Sequence, residues 1–123
     1  MDPSTPDTLA RGRELFDHGR FFEAHEVWEA AWLSESGTRR RLLQGLIQIA
    51  AALHKVSRAE RPEGAMRLFD AGLAKLDGIS DADAGFPLQA FVLSANASRE
   101  AVRSWARGES KPPGRESCPR FGA

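Results

Sequence analysis

The sequence predicts an all-α protein, a compact bundle of about five helices with a buried central third helix. Three observations predict it. Apolar residues recur at helical spacing in five segments, while no segment alternates apolar and polar residues for long. Tyrosine is absent and β-branched residues are sparse, so strand signals are weak. The breaks between the periodic segments are short, which favours antiparallel neighbours.

Ser4-Thr5-Pro6-Asp7 supplies a hydroxyl cap, a proline for the first turn and an early acid, so the first helix starts there, after a flexible stretch 1–4. It runs to about Asp17 and ends at His18-Gly19. The second begins near Arg20, continues through Trp32-Leu33 and stops at Ser36-Gly37. Thr38 caps a third, from Arg39 to about Arg58. Pro62-Glu63 opens the fourth, which closes at Asp77-Gly78. After a loop from Ile79 to Gly85, Pro87 opens the fifth, which runs to about Arg107-Gly108. A single helical domain therefore covers 5–107. In the remainder, 108–123, Lys111-Pro112-Pro113-Gly114 and Cys118-Pro119 break any period, and a disordered or surface-laid tail is expected.

With 123 residues the chain is one domain of ordinary size, and its 41% hydrophobic share can fill a core. Lys and Arg (17) balance Asp and Glu (17), which argues against a dedicated nucleic-acid binder. No apolar run reaches the ~18 residues of a membrane span. The start, Met1-Asp2-Pro3-Ser4, lacks a signal-peptide core, and the lone Cys118 has no internal partner for a disulfide. A cytoplasmic protein without membrane or nucleic-acid partners is the expectation.

The third helix carries Leu42, Leu43, Leu46, Ile47, Ile49, Ala50, Ala52 and Leu53, leaving almost no polar face. Gln44 and Gln48 stand in it four residues apart, on one side. Buried amides need partners, so something opposite must answer them. On the second helix, at about 100° per residue, Phe22, His25, Glu29 and Trp32 share a sector, with Trp28 beside it. An ionised Glu among aromatics is costly unless paired or coordinated. Two readings of the pair stand open. In one, His25 and Glu29 bond each other and the glutamines, forming a polar knot that fixes helix register. In the other they are two metal ligands on adjacent turns. Two ligands fall short of a firm site, so His54, Glu26, His18, water or a second subunit would have to supply the rest.

His25-x-x-x-Glu29-x-x-Trp32, preceded by Phe21-Phe22-Glu23-Ala24, resembles the signature of the domain-of-unknown-function family 309, small all-helical bacterial and archaeal proteins. Leu43-Gln44-Gly45-Leu46-Ile47-Gln48-Ile49-Ala50-Ala51-Ala52-Leu53-His54 is similar to its second block, and the resemblance spans about Leu9 to Leu76. It implies functional roles for His25, Glu29 and Trp32. It supplies no substrate, and metal binding has been suggested for the motif without being shown.

A second class of function also has sequence support. Gly12, Leu15, Ala24, Trp28 and Ala31 fall at tetratricopeptide-like spacings, and Ala65-x-x-x-Phe69-x-x-Gly72 echoes Ala24-x-x-x-Trp28-x-x-Ala31 after 41 residues. Such hairpins bind other proteins, but the period exceeds the usual ~34 residues and only two units are present. Catalytic templates fail: there is no G-x-S-x-G, no Gly-rich phosphate loop, no C-x-x-C, and His25-Glu26-x-x-Glu29 lacks the second histidine of the zinc-protease motif. Whether the protein is an enzyme stays open.

Arg39-Arg40-Arg41 reads as an anion contact or, more simply, a solvated helix start. The stripe Leu88, Phe91, Val92, Ala95, Val102 and Trp105 reads as bundle packing or a dimer face. The reading carried forward is a pocket for a metal ion or small polar ligand. His25, Glu29 and Trp32 form it with Gln44 and Gln48 behind them, and His25 and Glu29 are the contacts to a divalent metal. A protein partner or homodimer is the alternative role.

Overall fold

A computed structural model gives the structure of the chain and describes residues 5–122. The expectations for 1–4, including the Ser4 cap, lie outside the described residues. The elements are α1 (Thr5–Asp17), α2 (Phe21–Trp32), α3 (Gly37–Ser57), α4 (Pro62–Leu76), α5 (Asp81–Ala84) and α6 (Leu88–Ala106), then a 3-10 turn at Arg115–Ser117. No strand occurs among the described residues, and no helix there is long and apolar enough to cross a membrane.

Two local differences from the sequence reading have physical causes. The stretch read as a loop holds α5, because the Ser80 hydroxyl accepts the Asp83 N–H at 3.0 Å and so caps a single turn. The third helix starts at Gly37 rather than Arg39, and Thr38 lies inside it instead of capping it. Gly37 enters with a φ of +64°, a conformation open to a residue without Cβ.

α3 is the central helix, packing against α2, α4 and α5. Leu42, Leu43, Leu46, Ile49, Ala50 and Ala52 on it are fully buried. Two close approaches set its surroundings. Gly45 and Gly72 bring the backbones of α3 and α4 together, since a Cβ added to Gly72 would stand 2.8 Å from the Gly45 carbonyl oxygen. On the other side of α2, the Trp28 indole fills the space over Gly12 of α1 and donates to the Leu9 carbonyl at 3.4 Å. Each large side chain buried this way is worth about 1.5–3 kcal/mol. Both sets in the internal echo (Ala24, Trp28, Ala31 and Ala65, Phe69, Gly72) are buried in the helix packing. α6 lies on α4, with Arg99 paired to Asp70 across the seam. Its stripe faces inward: Leu88, Phe91, Ala95 and Val102 are buried, and Val92 and Trp105 pack at the edge.

Where the sequence suggests a disordered or surface-laid tail, the chain runs back over the bundle. Phe121 stacks on Phe91 at 3.9 Å between ring centroids and 3° between planes. The backbone N–H groups of Phe121 and Gly122 donate to the two carboxylate oxygens of Asp17, each at 2.9 Å.

Candidate functional site

α2 divides its residues between two faces. Phe21, Ala24, Trp28 and Ala31 are buried toward α1 and the core. The sector holding Phe22, His25, Glu29 and Trp32 is rotated away from it and borders α3. This corrects the expectation that the sector is a closed apolar environment: Phe22 is 52% exposed, and the Glu29 side chain is 53% exposed. Glu29 is thus reached by solvent, which removes most of the cost of keeping it ionised. Trp28, beside this sector on the helix, turns into the core.

His25 Nε2 lies 3.5 Å from Glu29 Oε2, a loose i, i+4 pair with the imidazole 27% exposed. Two contacts fix the register of α2 against α3. At one end the Arg40 guanidinium sits over the Trp32 ring, 3.9 Å from its centroid. At the other, Phe22 meets His54 at 5.4 Å between ring centroids. Between these points His25 lines one groove with Ala51 and His54 of α3, and neither Gln44 nor Gln48 is hydrogen-bonded to His25 or Glu29. Gln44 and Gln48 are half-buried.

Three of the five residues singled out from the sequence carry a buried polar atom without a hydrogen-bond partner in the protein: His25 Nδ1, Trp32 Nε1 and Gln48 Oε1. The fourth such atom among the described residues is Nη1 of Arg39, at the start of α3. Buried polar atoms are nearly always satisfied, and each left unmade costs about 1–3 kcal/mol. Two of the three, on His25 and Trp32, lie on the sector of α2 that borders α3, while the Cβ of Gln48 packs by Gly72 of α4.

Next to His25 a groove of about 200 Å³ opens between α2 and α3, lined by Phe22, His25, Ala51, His54, Lys55 and Glu60. Phe22 also stacks on His25, with 6.1 Å between centroids and 21° between planes. His54, one of the further ligand candidates, lines this groove. Glu60 accepts from Lys55 at 3.3 Å, a bond that holds its carboxyl below the ordinary value, with Arg58 adding to the effect.

The remaining ligand candidates do not join His25 and Glu29. His18 Nδ1 lies 2.8 Å from the Glu14 carbonyl oxygen at the end of α1, and Glu26 is exposed. No group of three His, Cys, Asp or Glu suited to a metal ion occurs among the described residues. His25 and Glu29 alone are two ligands, too few for a firm divalent site built by this chain. Sequence reasoning missed the role of Arg40. Its signal was present, because a cation eight residues beyond Trp32, across a short antiparallel turn, falls level with the indole.

Residues 9–68 match the model of a family described as Domain of unknown function (DUF309), which bears out the resemblance read from the two sequence blocks. No curated protein matches the chain, and no solved structure does.

Proposed function

We propose that this DUF309-matched helical chain binds a small polar molecule along the seam between α2 and α3. The observation that carries the reading is the trio of buried, unpartnered polar atoms on His25, Trp32 and Gln48. An indole N–H needs an acceptor and an amide oxygen needs a donor, so the ligand carries both. His25 accepts or donates according to its tautomer. Glu29, half exposed beside it, supplies a negative charge at the mouth, and Arg40 holds the Trp32 ring in place from its face. Gln44, half-buried on α3, extends the polar edge. The groove beside Phe22 receives any apolar part of the ligand. If the occupant is a divalent ion on His25 and Glu29, its other ligands come from outside the chain.

The indole N–H resonance of Trp32, assigned with Trp32→Phe, provides the test. A library of polar metabolites is added to the 15N-labelled chain, and divalent zinc, iron and manganese are added separately. A ligand that shifts the Trp32 signal, and no longer does so in Gln48→Leu or His25→Ala, supports the reading. Elemental analysis of protein purified without chelator separates a metal from an organic ligand. A Trp32 resonance unmoved by every compound and ion, with no metal in the purified chain, leaves the three atoms as water-bonded structure and ends the proposal.

A further inference from the structure

We infer that the cleft between the end of α1 and α6 is a peptide-recognition site occupied by the chain's own segment 115–122, and that it accepts the same chemistry from a partner protein: an aromatic side chain followed by glycine at a main-chain bend, with both backbone N–H groups turned to one carboxylate. The contacts are those of a receptor reading a peptide. Asp17 takes two successive backbone N–H groups, those of Phe121 and Gly122, one on each carboxylate oxygen at 2.9 Å. Further along, the Ser98 hydroxyl bonds the Ser117 carbonyl oxygen. Main-chain recognition at both ends fixes the direction of the segment, and one side chain, Phe121, supplies the anchor. That ring touches Phe16, Trp28, Phe86 and Phe91, with centroids 5.1, 6.0, 5.6 and 3.9 Å away.

Two features mark the segment as exchangeable rather than as a fixed part of the core. It is tethered to α6 by Arg107–Pro112, every residue of which is exposed, so undocking breaks no helix. The approach to it is also loosely packed. A groove of about 320 Å³ remains between Pro112–Arg115 with Cys118 and the apolar side chains of Phe21, Leu53 and Val56. A competing peptide thus meets an anchor cage that is deep and a flanking contact that is weak.

The test is fluorescence anisotropy with a labelled peptide of residues 115–122 carrying Cys118→Ser, titrated into the full chain with Phe121→Ala. Expected is binding at least tenfold tighter than to the unaltered chain, whose cleft is filled, and at least tenfold tighter than that of a peptide carrying Phe121→Ala. Equal binding to both chains, or of both peptides, overturns the proposal. Hydrogen exchange of the unaltered chain is independent of how well the variant folds. The Phe121 and Gly122 amides are expected to exchange at least a hundredfold faster than that of Leu46, through local undocking. Equal protection would show a segment released only by global unfolding and would likewise overturn it.

Discussion

The indole of Trp28 occupies the space where any residue larger than glycine at position 12 would place its side chain: a Cβ there would stand 2.0 Å from Nε1. Trp28 is fully buried, so the ring has little room to withdraw. Gly12→Ala is expected to cost about 2–3 kcal/mol through overpacking. Chemical denaturation measures it. Because the cost arises between two residues, Trp28→Phe should relieve part of it, and the double variant should be more stable than the sum of the singles predicts.

The Gly45–Gly72 crossing predicts a similar loss with no such relief. The obstacle to a Cβ at Gly72 includes a backbone oxygen at 2.8 Å, which no neighbouring substitution removes. Gly72→Ala should therefore lower stability by about 1–3 kcal/mol by forcing α3 and α4 apart. A loss below ~0.5 kcal/mol would show that the crossing yields easily.

At the α2–α3 seam, stability and binding should move in opposite directions. Gln48→Leu removes a buried oxygen without a partner, so the ligand-free chain is expected to be equally stable or up to about 1 kcal/mol more stable. Glu29→Gln breaks only a 3.5 Å pair with a half-exposed carboxylate and should change stability by less than about 0.5 kcal/mol. Both should lose the Trp32 response to ligand. Thermal unfolding alongside the resonance assay checks the pair of outcomes.

In the turn between α3 and α4, Ala59 takes a φ of +51°. For a residue with a Cβ this region costs about 1–2 kcal/mol. Ala59→Gly is accordingly expected to stabilise, by up to about 1 kcal/mol once the greater freedom of glycine in the unfolded chain is subtracted. A fall in the denaturation midpoint would contradict it.

Cys118 gives a pH dependence. Burial pushes its thiol above the ordinary value, with Arg115 opposing. The folded state therefore holds this proton more tightly than the unfolded state does. Its contribution is fully present below the unfolded thiol's pKa and is lost as pH rises through the raised folded value. Alkylation of Cys118 should be slower than that of a free peptide thiol at mildly alkaline pH. Phe121→Ala, by loosening the segment, should bring the rates together.

The five long helices were legible in the sequence because each is specified locally, whereas the single turn of α5 was not. Pro62 opens α4, and the almost wholly apolar run from Leu42 to Leu53 marks α3 as central. The seam was legible in its residues but not in its environment. Helical spacing groups His25, Glu29 and Trp32, yet which side of that sector meets solvent is decided by where Trp28 packs, and Trp28 follows Gly12 on another helix. Phe121 was harder still. It sits among Pro and Gly with no period, and its partners Asp17 and Phe91 are remote in the chain, so no local pattern announces it.

The pair Asp17–Phe121 joins residues 104 positions apart. Most other packing links sequence neighbours: α1 with α2, α2 with α3, α3 with α4. Helical hairpins of that kind assemble quickly, because little chain entropy is lost before contacts form. Closing a span of 104 residues adds its cost slowly with length, but it gains nothing until Phe16, Trp28 and Phe91 already stand together. The segment is thus expected to be the last part of the chain to find its place during folding. In a chevron experiment, substitutions at Phe121 should accelerate unfolding and leave the refolding rate nearly unchanged.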